Sequence, residues 1–384
     1  MSGSKQGIPC VIMRGGTSKA VFLDESLLPP PGEARDRFIQ AVFGSPDSRQ
    51  IDGLGGADPL TSKVAVIDRE SPDGTSLTYT FGQVEIEEVG VDYESLCGNV
   101  TSAVGHYAID EGLCEVVEPS TRVAIYNTNM KCNLYVEVPV KDGHPVDEGD
   151  YVVPGVPGTG ARIEVDLSET AGGRTGAVLP TGNPTDVLDV PDFGSLTASL
   201  VDVGNPHVFV RAKDLGLTGT EPMSWLREQR DVMDLLERIR GTAAVQMGLI
   251  ADWQSARAKS PAIPLIGFVG VPQAYDAEGD RGRIEEDEVD LVSRLMFMQR
   301  PHQAYAGTST VCTGVAAKLE GTVVAEVTRE SVSSTLQGPT RIGHPRGVIV
   351  TESAVHYVDG QPRVTRATVG RTARRIMEGV VFPD

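Results

Sequence analysis

The chain has 384 residues, of which 40% are hydrophobic, so it is long enough for two domains and apolar enough for a folded core. The formal net charge of −19 argues against nucleic acid and anionic membrane surfaces as partners. The five cysteines form no CxxC pair and no zinc-like spacing, and neither a signal peptide nor a membrane-spanning run is evident, so we expect a reduced, cytoplasmic protein without a metal site.

The N-terminal half has the pattern of short strands, glycine-rich turns and one buried helix. In chain order the pattern predicts strands on either side of a Gly-Gly turn at 8–24, a surface helix at 33–43, a glycine-rich loop at 52–59, strands at 64–67 and 77–89, a buried helix at 99–111, and strands at 122–127, 133–138 and 161–166.

The second half repeats this order approximately. The pattern predicts a crossing between domains at 172–192, strands around a GNPH turn at 198–210, a helix at 223–248, a strand at 263–270, a helix at 287–298, a second buried helix at 309–320, strands at 322–328 and 346–351, and a strand followed by a helix at 364–382. Helices buried singly among many short strands predict two barrel-like sheets, each around one helix.

The starts of the two buried helices, at 97–99 and 307–309, carry most of the functional information. Each helix is apolar almost all round, which is typical of a buried helix. Small polar residues in the first turn leave backbone N–H groups unpaired, and such a helix start binds carboxylate or phosphate groups. Both starts therefore predict an anion-binding role.

Cys97 and Lys63 are the candidates for proton transfer. A free cysteine is often no more than a small buried hydrophobe. Cys97, however, begins a buried helix, where unpaired N–H groups and the helix dipole favour a thiolate. Lys63 follows the glycine-rich loop and begins an apolar strand. A solvated lysine and a lysine in a cleft, pairing with a carboxylate or acting as a base, both stay open.

Turns between the predicted strands supply further candidate contacts. The glycines at 14–19 allow close backbone approach, and the arginine there can pair bidentately with a carboxylate. The histidines of the turns at 204–207 and 343–347 could line a site, although a lone histidine is often structural. The candidate substrate-binding residues are Arg14, Ser18, Gly55, Gly56, Ser62, Gly98, Asn99, Asn205, His207, Gly307, Thr308, Ser309, His344 and Arg346.

Several longer segments resemble one family along nearly the whole chain. They are MRGGTSKAVFL, DGLGGADPLTSKVAV, LPTGN, MGLI, GHPRG, GRTARRIMEG and the two buried-helix segments LCGNVTSAVGHYAIDEGL and GTSTVCTGVAAKLEGT. These segments resemble the PrpF family, whose members include isomerases of 2-methylaconitate, methylitaconate and aconitate and a 4-oxalomesaconate tautomerase.

The resemblance implies an α+β, diaminopimelate epimerase-like fold. Two similar domains are expected, each a barrel-like β-sheet wrapped around a central buried helix. We place the N-terminal domain at residues 1–184 plus 362–384, around the helix that starts at Cys97. The C-terminal domain is placed at residues 185–361, around the helix that starts near Thr308.

The resemblance also implies the chemistry. It assigns Lys63 and Cys97 as acid/base residues of a cofactor-independent isomerase that moves a proton on an unsaturated di- or tricarboxylic acid of the 2-methylaconitate or aconitate type. The epimerase itself has a second cysteine at the start of its second helix. Here that position is Gly307 or Thr308, and Cys312 lies a turn later. A mechanism with one thiol is therefore expected, rather than a racemase with two.

Two alternatives stay open: a keto-enol tautomerase of the 4-oxalomesaconate type, and a non-catalytic protein that binds a tricarboxylate or assists a dehydratase. We expect a small unsaturated tricarboxylate as the partner and neither a cofactor nor a metal ion. Which of Lys63 and Cys97 is the base is open, as is the oligomeric state, with a homodimer among the options.

Overall fold

The computed structural model describes residues 7–72, 77–279 and 281–383. Its strands are β1 (Ile8–Gly15), β2 (Ser18–Asp24), β3 (Lys63–Asp68), β4 (Leu77–Val84), β5 (Val91–Asp92), β6 (Ser120–Asn127), β7 (Cys132–Lys141), β8 (His144–Pro145), β9 (Ile163–Asp166), β10 (Asp186–Val190), β11 (Gly194–Val203), β12 (Asn205–Arg211), β13 (Leu265–Gly270), β14 (Tyr275–Asp276), β15 (Arg283–Ile284), β16 (Leu291–Phe297), β17 (Arg300–Pro301), β18 (Gln337–His344), β19 (Gly347–Val358), β20 (Gln361–Arg371) and β21 (Ala373–Val381). Its helices are α1 (Glu33–Phe43), α2 (Gly98–Asp110), α3 (Met223–Glu228), α4 (Arg230–Gln246), α5 (Ala256–Lys259), α6 (Gly307–Ala316), α7 (Val323–Val327) and α8 (Glu330–Ser333).

The chain divides into two compact units. The first comprises Met1–Val165 with Arg371–Asp384, and the second comprises Asp166–Gly370. The stretch at 172–192, predicted as a crossing between domains, lies within the second unit and includes β10.

A curved sheet surrounds α2 in the first unit. Strand β1 pairs with β21 on one side and β2 on the other, and the pairing continues through β3, β4, β6 and β7. Helix α2 contacts β21 and β1 near one end of this order and β7 at the other. A sheet that meets one helix from both ends wraps around it, and every residue of α2 except the last is buried.

The second unit repeats the construction around α6. Its sheet runs from β10 through β11, β12, β13, β16, β18 and β19 to β20. Helix α6 contacts β11 near one end and β19 near the other, and all its residues are buried. The predicted α+β, diaminopimelate epimerase-like architecture is confirmed.

Three predicted elements are wrong. The helix predicted at 287–298 is strand β16, which lies between β13 and β18 and is buried on both faces, so it lacks the alternation that marks a strand. The strand predicted at 322–328 is helix α7, because the Thr322 hydroxyl accepts a hydrogen bond from the Ala325 N–H at 3.0 Å and caps its start. The predicted C-terminal helix is strand β21, which pairs with β1 from Ala373 to Val381.

Most other predicted elements are confirmed with shifted boundaries, whereas strands β10 and β18 were not predicted. The helix predicted at 223–248 is broken at Gln229, whose φ of −87° and ψ of 76° separate α3 from α4. The strand predicted at 77–89 ends at Val84. Both buried helices begin within two residues of their predicted positions.

Candidate functional site

The turn between β1 and β2 packs directly on the start of α2. A Cβ added to Gly15 would lie 2.2 Å from the carbonyl oxygen of Asn99, and one added to Gly16, at φ +48°, would lie 2.3 Å from the Asn99 Oδ1. The Asn99 side chain donates from Nδ2 to Thr17 Oγ1 at 3.0 Å and to Ser18 Oγ at 3.5 Å. Glycines therefore allow the turn to place two hydroxyl groups at the helix start.

Cys97 lies at the N-cap position of α2 and is half-buried. Its Sγ is 3.9 Å from Ser18 Oγ, within hydrogen-bond range for sulfur. The first hydrogen bond of the helix runs from the Thr101 N–H to the Cys97 carbonyl at 3.0 Å, so the N–H groups of 98–100 have no partner within the helix. The thiol therefore lies beside N–H groups that no carbonyl of the helix accepts from.

Lys63 begins strand β3 and is only 2% exposed. Its Nζ donates to Gln83 Oε1 at 2.6 Å and lies 5.2 Å from the centre of the Phe81 ring. Burial lowers the pKa of Lys63, while negative charge on Cys97, Asp58 and Asp92 acts in the opposite direction and is outweighed. The two predicted acid/base residues therefore lie near enough for negative charge on Cys97 to raise the pKa of Lys63.

Arg371 is a site neighbour that the sequence reasoning missed. Its guanidinium is 1% exposed and donates from Nε to Asn99 Oδ1 at 2.6 Å. Burial lowers the pKa of Arg371 to about 10, opposed by negative charge on Tyr151 and Cys97. Because the Asn99 Oδ1 accepts this hydrogen bond, the amide nitrogen of Asn99 faces the hydroxyl groups of the β1–β2 turn.

The glycine-rich loop is folded around Gln50, which the sequence reasoning also missed. Gln50 Oε1 accepts hydrogen bonds from Ser62 Oγ at 2.7 Å and from a loop N–H at 2.8 Å. A Cβ on Gly55 would lie 2.2 Å from the Gln50 side chain, and one on Gly56 would lie 2.3 Å from Thr61 Oγ1. These contacts explain the glycines by loop packing, and substrate contact by Gly55, Gly56 and Ser62 stays a prediction.

Arg14 has a visible structural role. Its Nη1 donates to the Gly16 carbonyl at 3.1 Å and to the carbonyl and hydroxyl of Thr372 at 2.8 and 3.0 Å. The half-buried guanidinium therefore ties the β1–β2 turn to the segment before β21. Its role as a carboxylate clamp stays a prediction.

The start of α6 in the second unit is built from neutral groups. Asn205 Nδ2 donates to Thr308 Oγ1 at 3.2 Å, and Gly204, at φ +71°, lets the turn approach Thr308. His207 bonds through Nδ1 to the Asn205 carbonyl and through Nε2 to Ser309 Oγ, each at 2.7 Å. Burial lowers the pKa of His207 to about 4, so the ring is neutral near pH 7. Since a carbonyl only accepts, Nδ1 carries the proton and Nε2 accepts from Ser309.

The thiol of the second unit lies away from the helix start. Cys312 is fully buried in α6, with Sγ 3.7 Å from the Val201 carbonyl, and burial raises its pKa well above the usual range. A buried thiol of this kind resists ionisation. Gly307, Thr308 and Ser309 thus form the start of α6 without a thiol, as the sequence indicated.

His344 and Arg346, at the β18–β19 turn, have contacts with other parts of the second unit and with each other. The ring of His344 lies 6.1 Å from that of Tyr305, and its Nδ1 accepts from the Arg346 N–H at 3.3 Å. The Arg346 Nη1 lies 2.7 Å from the place of a Cβ on Gly279, in the segment between β14 and β15. Their part in substrate binding stays a prediction.

Two further properties bear on the kind of site. Across 7–72, 77–279 and 281–383, no group of three or more His, Cys, Asp and Glu side chains has the arrangement to hold a metal ion. Over the same ranges, no helix combines the length and the apolar character required to cross a membrane.

Comparisons with known proteins show what the chain is similar to. A 3-methylitaconate isomerase of Eubacterium barkeri is 50% identical over 377 residues, which cover 98% of this chain and 97% of that protein. A 2-methyl-aconitate isomerase of Shewanella oneidensis is 35% identical over 387 residues, covering 97% and 96%. The crystal structure of a methylitaconate-delta-isomerase matches with a TM-score of 0.81 at 49% identity, over 99% of this chain and 96% of that one.

The fold and these relatives define an isomerase with the diaminopimelate epimerase-like architecture, which sets the non-catalytic alternative aside. The family model described as PrpF protein matches residues 5–383. The chain belongs to the PrpF family.

Proposed function

We propose that the protein moves a proton between two carbons of an unsaturated di- or tricarboxylic acid, with Lys63 and Cys97 as its acid/base pair. The observation that carries this proposal is the burial of the Lys63 amine, which lowers its pKa, near enough to Cys97 at the start of α2 for negative charge there to act on it. A buried amine with a lowered pKa has an accessible neutral form, which a general base requires.

Lys63 and Cys97 together account for every proton that moves, and both return to their starting protonation states. The neutral Lys63 amine takes a proton from the carbon next to the C=C–carboxylate system, which breaks a C–H bond and forms an N–H bond. The resulting dienolate places charge on a carboxylate oxygen, where each fixed N–H donor contributes about 3–4 kcal/mol. The Cys97 thiol then protonates the second carbon. The ammonium returns its proton to the thiolate, and both groups are ready for another turnover.

The carbon that is reprotonated decides the product. Methylitaconate has a hydrogen that is both allylic and adjacent to a carboxylate, and protonation of its methylene carbon shifts the double bond. We favour such a methylitaconate-type acid, because the relative at 50% identity carries that name. A cis-trans isomerisation of 2-methylaconitate is the second candidate, supported by the relative at 35% identity.

We assign carboxylate binding to the start of α6 in the second unit. The N–H groups of 307–309 lie at an uncapped helix start, and Asn205 and Thr308 add polar groups beside them. His207 holds Ser309 in place as a neutral ring. These groups can bind an anion but are poorly suited to move a proton near neutral pH.

The direct test is incubation of the purified protein in deuterated buffer with methylitaconate, 2-methylaconitate, trans-aconitate and 4-oxalomesaconate, followed by NMR. We expect deuterium at carbon in methylitaconate and in its double-bond isomer, with slower exchange in the larger acids. Turnover of 4-oxalomesaconate alone would indicate the tautomerase, and no exchange with any acid would refute the proposed function.

A further inference from the structure

Lys63 has a partner on the neighbouring strand. Residues Lys63 and Gln83 lie opposite each other in the antiparallel pairing of β3 with β4. The amine donates to Gln83 Oε1 at 2.6 Å, a short hydrogen bond between the two side chains. Gln83 is 1% exposed, so this contact is shielded from water.

The orientation of the Gln83 amide is fixed by its other atoms. Its Nε2 donates to the Pro59 carbonyl at 3.1 Å and to the Ser62 carbonyl at 3.0 Å. An amide nitrogen has two hydrogens, and these two bonds use both. Only the oxygen can therefore face Lys63, and the segment that follows the glycine-rich loop sets this orientation.

We propose that Gln83 is a positioning residue that aims the Lys63 amine through a neutral acceptor and adds no negative charge to it. This inference rests on the proposed function, in which Lys63 is the base. A glutamate has nearly the same shape, but its carboxylate at 2.6 Å would hold the ammonium form. An amide accepts the same hydrogen bond and leaves the neutral amine accessible.

The charges around Lys63 show why a neutral partner matters. Cys97, Asp58 and Asp92 all favour the ammonium form, and desolvation outweighs the three together. A further anion in direct contact would act against the effect of desolvation, since an opposite charge at such a distance raises the pKa of an amine by about 1–3.

The test is the pH dependence of kcat/KM for Gln83→Glu and Gln83→Met, with the acid of the panel that exchanges fastest. In Gln83→Glu the acid limb of the pH profile moves up by about 1–3 pH units, so kcat/KM at pH values below both limbs falls by about 10- to 10³-fold and recovers at higher pH. In Gln83→Met the ammonium loses an acceptor. The acid limb of this variant's pH profile therefore moves to lower pH. Its kcat falls because the amine is no longer held in position.

Gln40→Glu is the matched control. Gln40 is a buried glutamine of the same unit, on α1, and its Nε2 bonds to the Glu88 carbonyl. This variant introduces a buried carboxylate that faces the Glu88 carbonyl rather than the Lys63 hydrogen bond, so we expect its acid limb to coincide with that of the wild type. Thermal melts of the three variants report the cost to the fold separately. If Gln83→Glu does not fold, the downward shift in Gln83→Met still tests the inference.

The outcomes separate this inference from the proposed function. If Lys63→Met keeps wild-type turnover, the base is misassigned and the proposed function fails. If Lys63→Met is inactive and the Gln83 variants titrate with the wild-type acid limb, Gln83 is a structural glutamine and only this inference is overturned.

Discussion

The start of α2 in the first unit and the start of α6 in the second share one construction. Each helix is buried, begins with glycine and has no side-chain cap. In each an asparagine amide donates to a threonine hydroxyl, from Asn99 to Thr17 and from Asn205 to Thr308. In each, a turn that contains glycine packs closely against the first turn of the helix. A Cβ on that glycine would lie 3.0 Å or less from an atom of the helix.

The two starts differ in the groups that can change charge. The first has the Cys97 thiol, with the Lys63 amine and the Arg371 guanidinium acting on it. The second has a neutral His207 ring, hydroxyl groups, and a thiol that is buried a turn inside the helix. In our proposal, the same backbone arrangement supports proton transfer in one unit and anion binding in the other.

Substitution of each thiol by a serine hydroxyl should give the largest contrast between the two helix starts. Cys97→Ser is expected to lower kcat/KM by at least about 10²-fold, because a serine hydroxyl is a far weaker acid than a thiol. Cys312→Ser removes a thiol from the interior of α6 and should leave kcat within about twofold of wild type, since this thiol is fully buried and faces the Val201 carbonyl rather than the helix start. Steady-state kinetics of both variants test this, and equal losses would show that the two starts are not specialised.

Removal of the buried guanidinium should give a smaller loss. Arg371→Met frees the Asn99 amide to rotate, so we expect a drop of about tenfold in kcat together with about 1–3 kcal/mol of stability. Arg240→Met is the control: that arginine is equally buried, in the second unit, and bonds to Glu237 and backbone carbonyls. It should lose stability but keep kcat. Equal losses of kcat in Arg371→Met and Arg240→Met would show that Arg371 has only a structural role.

Loss of the hydroxyl at the start of α6 should affect binding more than turnover. Ser309→Ala leaves the His207 Nε2 without its donor, and a hydrogen bond of this kind contributes about 1 kcal/mol. We therefore expect KM to rise about fivefold with kcat nearly unchanged. A large fall in kcat at constant KM would place proton transfer in the second unit as well.

The smallest effect on turnover should come from His207, whose pH dependence appears in stability. Its pKa is about 4 in the folded protein against 6.5 in the unfolded chain, so only the unfolded chain gains a proton as the pH falls from 6.5 to 4. Stability contributed by the neutral ring is complete above pH 6.5 and decreases by about 3 kcal/mol across that window. Urea unfolding of wild type and His207→Gln between pH 7 and 4.5 measures this. Identical slopes would contradict a buried neutral imidazole.

Much of the fold could be predicted because its central elements have strong local signals. Helices α2 and α6 are small-residue-rich and apolar all round, and glycines follow each of them closely. Prediction failed where tertiary contacts decide the structure. Strand β16 is buried on both faces, and β21 carries exposed charges but is held by pairing along β1.

The site was predictable only where its residues lie in recognisable segments. Cys97, Lys63 and the two helix starts follow from local composition and from the family resemblance. Gln83 acts through the register of β3 with β4, which the sequence does not specify. Arg371 reaches Asn99 from 272 residues away in the chain. Contacts set by register or by distant chain segments leave no local pattern to detect.

The central claim, that proton transfer resides at the start of α2, is tested most directly by deuterium exchange in Lys63→Met. A thioether matches the length and shape of the lysine stem but cannot accept a proton. We predict that deuterium uptake at carbon in methylitaconate falls by about 10²–10⁴-fold, while the variant melts cooperatively and still binds the acid. Uptake at the wild-type rate in folded Lys63→Met would contradict the account.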